Sequence, residues 1–204
     1  DELGEIYNCY EANNGNEGYE MAIEIMPDLV LSDVMMPGSS GIELCKNIKE
    51  NIITSHIPVV LLTAKTTVED QIEGYESGAD AYVSKPFRPD QLVATINSIL
   101  ENRIRLKQKF GARLDLTKKS ISNTADDKFL SKVTEIINKH LTNNQFGVNE
   151  MAGELAMSRV HLHRKMKAIT NQGPNEYIRK IRLQKAAELL LKNELSITEI
   201  CMKV

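Results

Sequence analysis

The sequence lacks features that define several large classes of proteins. Its 204 residues contain no apolar run that approaches the ~18 residues of a membrane-spanning helix. The only cysteines are Cys9, Cys45 and Cys201, whose spacing matches neither a disulfide framework nor a metal-binding motif. No segment repeats in the manner of a solenoid. We therefore expect a globular protein with reduced thiols, in a cytoplasmic setting.

What the sequence has is a reversal of charge along its length. Residues 1–106 carry 18 acidic and 7 basic residues, which gives this half a net charge of −11. Residues 107–204 carry 10 acidic and 18 basic residues, a net charge of +8, and the whole chain has −3. A change of sign predicts two domains with different partners. The basic half favours a polyanion as partner, and nucleic acid is the usual one.

The first 106 residues alternate between short apolar runs and amphipathic segments. The apolar runs predict strands at residues 7–12, 29–32, 58–62 and 81–83. The 3.6-residue spacing of apolar positions predicts helices at residues 15–26, 40–50, 68–77 and 89–105. Strands that alternate with helices predict a parallel sheet with helices on both faces, which is an α/β doubly wound domain.

The second half is helical in pattern. The periodicity fades after residue 106, and residues 107–126 are predicted to be a polar linker. Amphipathic segments in residues 127–204 then predict an all-α domain, with helices centred on residues 129–141, 148–155, 162–169 and 174–191. Only two residues separate Leu155 from Ser158, so a short turn joins two helices there. Such a turn predicts a helix-turn-helix unit, with Ser158 as the N-cap of its second helix.

Three polar residues lie at the carboxyl ends of predicted strands, namely Asp33, Thr63 and Lys85. Ligands of open parallel sheets bind outside these ends, so the three side chains are expected to converge. A carboxylate, a hydroxyl and an ammonium suit phosphoryl transfer, in which the aspartate attacks phosphorus and the other two bind its oxygens. Taken singly, an aspartate such as Asp33 after a strand is usually a turn or helix-cap residue, and Thr63 could cap a helix.

Four motifs in residues 1–106 resemble the receiver domain of bacterial two-component response regulators. They are AspValMetMetPro (33–37), LeuThrAlaLys (62–65), GlyAlaAspAlaTyr (78–82) and LysProPhe (85–87). The resemblance covers residues 1–106 and implies a flavodoxin-like fold. It also implies that Asp33 accepts a phosphoryl group from a histidine kinase, while Thr63 turns toward the phosphate. Lys85 would pair with that phosphate, and Tyr82 would be the aromatic residue whose rotation follows.

The sequence departs from the receiver pattern at two points. ProGlySerSerGly (37–41) replaces the usual continuation toward Met-Asp-Gly. A receiver also opens with a strand that ends in an acidic pair, which holds Mg²⁺ together with the phosphoacceptor, and this sequence shows no such strand. Asp33 alone is a poor Mg²⁺ site. Since the first strand is central in the 2-1-3-4-5 order, we expect this sequence to be part of a longer chain.

The helix-turn-helix half resembles the DNA-binding domain of AraC/XylS-type transcription regulators. The resemblance rests on SerArgValHisLeuHisArgLysMetLys (158–167) and on the long segment 174–191, and it covers residues 127–204. It implies two helix-turn-helix units joined by a central helix, with the sequence ending inside the second unit at 196–204. It implies that the first recognition helix contacts DNA. The candidate contacts are Arg159, Val160, His161, His163, Arg164 and Lys167.

The alternative to DNA contact is that the charged face of this helix is simply exposed to solvent. His161 and His163 do not suit a metal site, because residues two apart on a helix do not face each other. By the resemblance, Val160, His163 and Arg164 occupy base-facing positions, whereas His161 contacts the DNA backbone. Arginine is suited to guanine edges and lysine to phosphates.

The expected function is a response regulator in which phosphorylation controls DNA binding, with activation favouring a homodimer through residues 68–77, 81–83 and 89–105. The domain order resembles the C-terminal part of hybrid two-component proteins, in which a membrane-anchored sensor and histidine kinase precede the receiver. This sequence has no kinase motif of its own, so the enzyme would be the parent chain. The alternatives are a stand-alone response regulator, a phosphorelay or scaffold module that binds protein, and a receiver that works without phosphate.

Overall fold

The computed structural model describes residues 3–64, 77–112 and 125–204. The chain divides into two compact units, Asp1–Leu106 and Lys107–Val204. The finer division into a receiver at 1–106, a linker at 107–126 and a DNA-binding domain at 127–204 stays a prediction. Within the described residues, no helix is both long and apolar enough to cross a membrane.

The first unit is built on a parallel sheet. Its strands are β1 (Val30–Asp33), β2 (Val59–Thr63) and β3 (Ala81–Ser84), adjacent in that order. Its helices are α1 (Gly15–Ile25), α2 (Gly41–Glu50) and α3 (Pro89–Ala112). Asp33 is in register with Leu62, and Thr63 with Ser84. The carboxyl ends of the three strands therefore lie side by side.

Alternate residues of β2 supply a core to each face of the sheet. Val59 and Leu61 pack in one buried cluster with Ile48 of α2, whereas Val60 packs in a second cluster with Ile96 of α3. Neighbouring residues of a strand point to opposite faces, which explains why the run is apolar without a break. The sheet covered on both faces confirms the predicted doubly wound, flavodoxin-like class.

An ion pair fixes the amino end of the sheet. Asp80 Oδ2 accepts hydrogen bonds from Lys49 Nζ at 2.6 Å and from the Val59 N–H at 2.8 Å. Lys49 Nζ also donates to the carbonyl oxygen of Ile57, at 2.9 Å. These contacts tie α2 to the starts of β2 and β3, and so hold the strand that leads to Lys85.

The predicted strand at 7–12 is wrong for the structure, in which these residues form no strand. Extended backbone becomes a strand only by pairing, and none of the strands in the described residues pairs with this segment. Instead, the Tyr7 hydroxyl donates to Asn97 Oδ1 at 2.9 Å. The predicted helix at 68–77 lies outside the described residues, apart from Ser77.

Helix α3 continues to Ala112, past its predicted end at Arg105 and into the predicted linker. The extra turns contain Leu106, Lys107, Gln108 and Lys109, which all have strong helix propensity. Propensity therefore favours the helix as far as Lys109, although Phe110 and Gly111 near its end are weaker helix formers. The remaining predicted linker residues up to 124 lie outside the described part of the chain.

Every regular element in residues 125–204 is a helix, as predicted. Its helices are α4 (Ala125–Lys139), α5 (Val148–Glu154), α6 (Arg159–Thr170), α7 (Pro174–Lys192) and α8 (Ile197–Lys203). The core is formed by fully or almost fully buried apolar side chains from α4 to α7, among them Phe129, Val133, Ile137, Met151, Leu162, Met166 and Ile181. The Ser158 side chain accepts a hydrogen bond from the His161 N–H at 3.1 Å, which confirms Ser158 as the N-cap of α6.

Candidate functional site

Asp33 ends β1 with its carboxylate held on two sides. Asp33 Oδ1 accepts a hydrogen bond from the Met35 N–H at 3.1 Å, and Oδ2 forms an ion pair with Lys85 Nζ. The Val34 N–H donates to the carbonyl oxygen of Leu62 at 2.8 Å, which anchors the following loop on β2. The Asp33 side chain is still 35% exposed. The carboxylate is thus fixed in position and open to a reagent from solvent.

The surroundings of Asp33 favour its ionised form. Burial alone would raise the pKa of Asp33. The hydrogen bond from Lys85, the backbone N–H groups of Met35 and Val34, and the charge of Lys85 outweigh burial and hold that pKa below its ordinary value. Asp33 is therefore a carboxylate at neutral pH, which is the form that acts as a nucleophile.

Thr63 and Lys85 reach this edge from the two neighbouring strands. Thr63 is the last residue of β2 and is buried. The Lys85 N–H donates to the carbonyl oxygen of Thr63 at 2.7 Å, and the Lys85–Pro86 peptide bond is cis. The structure therefore brings Asp33 and Lys85 into contact and places Thr63 on the strand between them.

Gly41 lets α2 begin directly against the phosphoacceptor candidate. The Gly41 N–H donates to the carbonyl oxygen of Val34 at 3.1 Å. A Cβ atom at Gly41 would collide with the carbonyl oxygen of Asp33 and come within 2.9 Å of Ser32 Oγ. The altered loop from Pro37 to Gly41 thus keeps the one glycine that the close approach requires.

Tyr82 lies on β3, two residues before the strand ends, and packs against the buried cluster that contains Ile48 and Leu61. Its hydroxyl is 3.0 Å from the hydroxyl of Ser77, a residue that is itself 3% exposed. Ser77 is not among the residues predicted from the sequence, because nothing in the spacing of the motifs pairs it with Tyr82. The switch role of Tyr82 stays a prediction.

The described residues do not make up a complete Mg²⁺ site. No group of three or more His, Cys, Asp or Glu side chains in residues 3–64, 77–112 and 125–204 is placed to hold a metal ion. Mg²⁺ prefers several oxygen ligands in octahedral geometry. Asp33 supplies one carboxylate, and Lys85 neutralises it, so the described part of the edge does not fit the metal by itself.

The second candidate region is the outer face of α6. Arg159, Val160, His163 and Arg164 are exposed, whereas Leu162 is fully buried. Val160 is 56% exposed, so its aliphatic side chain is open to a partner. Since 160, 163 and 164 have i, i+3, i+4 spacing, they share one face of the helix. An aliphatic, an imidazole and a guanidinium side by side suit the edges of base pairs.

Two other predicted contacts on α6 are less open. His161 is half-buried, and its backbone N–H is used by the Ser158 cap. Lys167 is exposed, but its Nζ donates to the carbonyl oxygen of Asn171 at 2.9 Å, at the end of the helix. Lys167 would have to leave this helix-capping contact to reach a phosphate.

Lys165 is a residue of α6 that the sequence reasoning missed. Its side chain is fully buried, with Nζ 3.0 Å from Asp126 Oδ1. Its position in the sequence indicates burial, since Lys165 falls in the apolar stripe of the helix between Leu162 and Met166. A lysine in such a stripe is buried only when it has a partner.

Both units match known families. Residues 2–97 match the response regulator receiver domain, and residues 151–204 match a helix-turn-helix domain. Over 199 residues the chain is 45% identical to histidine kinase P4 from Formosa agariphila, which covers 97% of this chain and 14% of that protein. The chain therefore spans about one seventh of the length of this relative.

Two further comparisons concern smaller proteins. Over 150 residues the chain is 37% identical to the probable transcriptional regulator ycf29 from Pyropia yezoensis, which covers 67% of this chain and 68% of that protein. Among solved structures, the signal receiver domain of a signal transduction histidine kinase from Syntrophus aciditrophicus is 29% identical. That match covers 59% of this chain and 83% of the solved one, with a TM-score of 0.47.

Proposed function

Because the chain belongs to the response regulator receiver family and carries a helix-turn-helix domain after its receiver, we propose that phosphorylation of Asp33 controls sequence-specific DNA binding by α6. The observation that carries the proposal is the site at the carboxyl edge of the sheet. There a solvent-accessible, ionised Asp33 is held by Lys85 and by the Met35 N–H, beside Thr63.

The proposed chemistry is a single phosphoryl transfer. An oxygen of Asp33 attacks phosphorus of a phosphohistidine on a histidine kinase. The new O–P bond forms as the N–P bond breaks, and the electron pair of that bond stays on the imidazole nitrogen of the donor. Lys85 then pairs with the phosphoryl oxygens, and the Thr63 hydroxyl turns to them. The acyl phosphate carries a charge of about −1.5 to −2 where the carboxylate carried −1, and this added negative charge biases the receiver toward a second conformation.

Receiver domains use Mg²⁺ for this reaction, and we extend that property to this chain. The ion would take Asp33 as one ligand and complete its shell with an acidic pair from outside the described residues. Mg²⁺ would shield the phosphoryl group from the negative charge of Asp33.

The output would be a homodimer on DNA. Residues 81–83 and 89–105 would form part of the dimer face, together with residues 68–77, which lie largely outside the described part of the chain. Two tethered α6 helices then bind neighbouring sites with a raised effective concentration. Lys167 would contact a phosphate and His161 the DNA backbone, and Val160, His163 and Arg164 would face the bases. Arg159 is a further candidate contact with DNA. A DNA-binding role would place this segment in the cytoplasm.

We further propose that the parent chain is a hybrid sensor histidine kinase with this segment near its C-terminus. The support is the 45% identity to a histidine kinase over 97% of this chain. A stand-alone regulator is the alternative, and the probable transcriptional regulator ycf29, of which this chain covers 68%, favours it. The sequence upstream of Asp1 distinguishes the two.

DNA affinity before and after phosphorylation tests the proposed function. We expect acetyl phosphate with Mg²⁺ to raise the affinity of the complete protein for a selected duplex by about 5- to 150-fold, the usual range of allosteric coupling. Fluorescence anisotropy measures it, at several salt concentrations. Affinity should fall steeply with salt, because bound phosphates release counterions. An affinity that is absent or insensitive to salt would favour the scaffold alternative.

Replacement of Arg164 by alanine should weaken specific DNA binding. A bidentate arginine contact with a base contributes about 1–3 kcal/mol, so we expect affinity for the selected duplex to fall by roughly 5- to 150-fold. Lys132→Ala is the matched control, since it removes the same charge from an exposed position of α4. Equal losses in Arg164→Ala and Lys132→Ala would mean that Arg164 contributes only to the general field of the domain.

A further inference from the structure

Helix α6 carries one basic residue that the proposed DNA contacts do not use. The side chain of Lys165 is fully buried, although that of its neighbour Arg164 is exposed. Lys165 Nζ lies 3.0 Å from Asp126 Oδ1, in the first turn of α4, and 5.0 Å from the centre of the Phe129 ring. Phe129 is itself 1% exposed, so the ammonium group is held against a buried ring of α4.

An ion pair with one fully buried member contributes little to stability, since the cost of taking the charge of Lys165 out of water offsets its attraction to the partly exposed Asp126. An apolar side chain of similar volume would stabilise the same interface at least as well. What the lysine adds is direction, because its Nζ has to meet Asp126 and the face of Phe129 together. The burial of Leu162 and Met166 sets which face of α6 turns inward, and the directional contact of Lys165 adds a further constraint on the rotation of the helix.

The rotation of α6 about its axis decides which side chains reach a base pair. Successive helical residues are turned by about 100°, so Val160, His163 and Arg164 share one face while Lys165 points to α4. We propose that Lys165 is a positioning residue for DNA recognition, which fixes the rotation of α6 through Asp126. This inference rests on the proposed function, since it requires that α6 reads base pairs.

The test compares the complete wild-type protein with Lys165→Met, whose unbranched side chain fills a similar volume without charge. The probes are a duplex that wild type selects from a random library and a scrambled duplex of the same length. We expect Lys165→Met to lose about tenfold or more in affinity for the selected duplex, as when one base contact is lost. Binding of the scrambled duplex should not change. Asp126→Asn should lose less, because its amide oxygen still accepts from Lys165.

A merely structural lysine would give a different pattern. Lys165→Met would then lower the melting temperature and weaken both duplexes in proportion, or would change nothing, and either result overturns the proposal. If Lys165→Met does not fold, Asp126→Ala decides: it removes the oxygen that accepts from Lys165, so an unchanged ratio of the two affinities in that folded variant also overturns the proposal. If wild type selects no site at all, the proposed function fails, and this inference fails with it.

Discussion

We expect Asp33→Asn to abolish the uptake of a phosphoryl group. Intact mass spectrometry of the complete protein with acetyl phosphate and Mg²⁺ should show one added phosphoryl group in wild type and none in the variant. Asparagine keeps the shape of the side chain and still accepts from the Met35 N–H. It loses the charge that pairs with Lys85 and the nucleophilic oxygen, so the variant separates chemistry from folding.

Asp28→Asn is the matched control for this experiment. Asp28 lies just before β1, at the opposite end of the strand from Asp33, and it is exposed. The same change of side chain there should leave phosphoryl uptake as in wild type. Uptake that persists in Asp33→Asn would place the acceptor on another residue, and uptake lost in both variants would point to a general effect on the receiver fold.

Much of the fold could be predicted because strands and helices of this type are encoded locally. The apolar run Val59–Leu62 and the capped segment Gly41–Glu50 form the predicted strand and helix. The segment 7–12 could not be predicted in the same way, because a strand depends on a partner elsewhere in the chain as well as on its own pattern. The end of α3 was not predicted, because residues 106–109 have strong helix propensity but no clear apolar periodicity, and the helix runs on to Ala112.

The site was predictable to the extent that topology decides it. Residues at the carboxyl ends of adjacent parallel strands meet at one edge, and Asp33 and Lys85 do so in the structure. Ser77 and Lys165 were missed, because their partners Tyr82 and Asp126 are set by side-chain packing. Lys165 and Asp126 are far apart in sequence, and no local pattern joins them.

We expect Gly41→Ala, the second change with a large effect, to lower the stability of the receiver and to reduce its uptake of a phosphoryl group. The added methyl group would collide with the carbonyl oxygen of Asp33 and come within 2.9 Å of its carbonyl carbon. Both are backbone atoms between β1 and α2, so no side chain can move aside. The cost should reach or exceed the upper end of the ~1–3 kcal/mol of ordinary overpacking. If the start of α2 shifts to relieve the collision, Asp33 also shifts relative to Lys85.

Gly18→Ala is the control variant, which shows whether the loss is specific to position 41 or follows any replacement of glycine by alanine. Gly18 lies within α1, and a methyl group there would make an ordinary 3.4 Å contact with Leu44. Since alanine has a helix propensity about 1 kcal/mol better than glycine, Gly18→Ala should be as stable as wild type or slightly more so. Hydrogen exchange of β1 and β2 peptides, read by mass spectrometry, measures the receiver apart from the helical unit. Protection and phosphoryl uptake at wild-type levels in Gly41→Ala would contradict the close approach of α2 to Asp33, and with it the geometry that we propose for the phosphoacceptor.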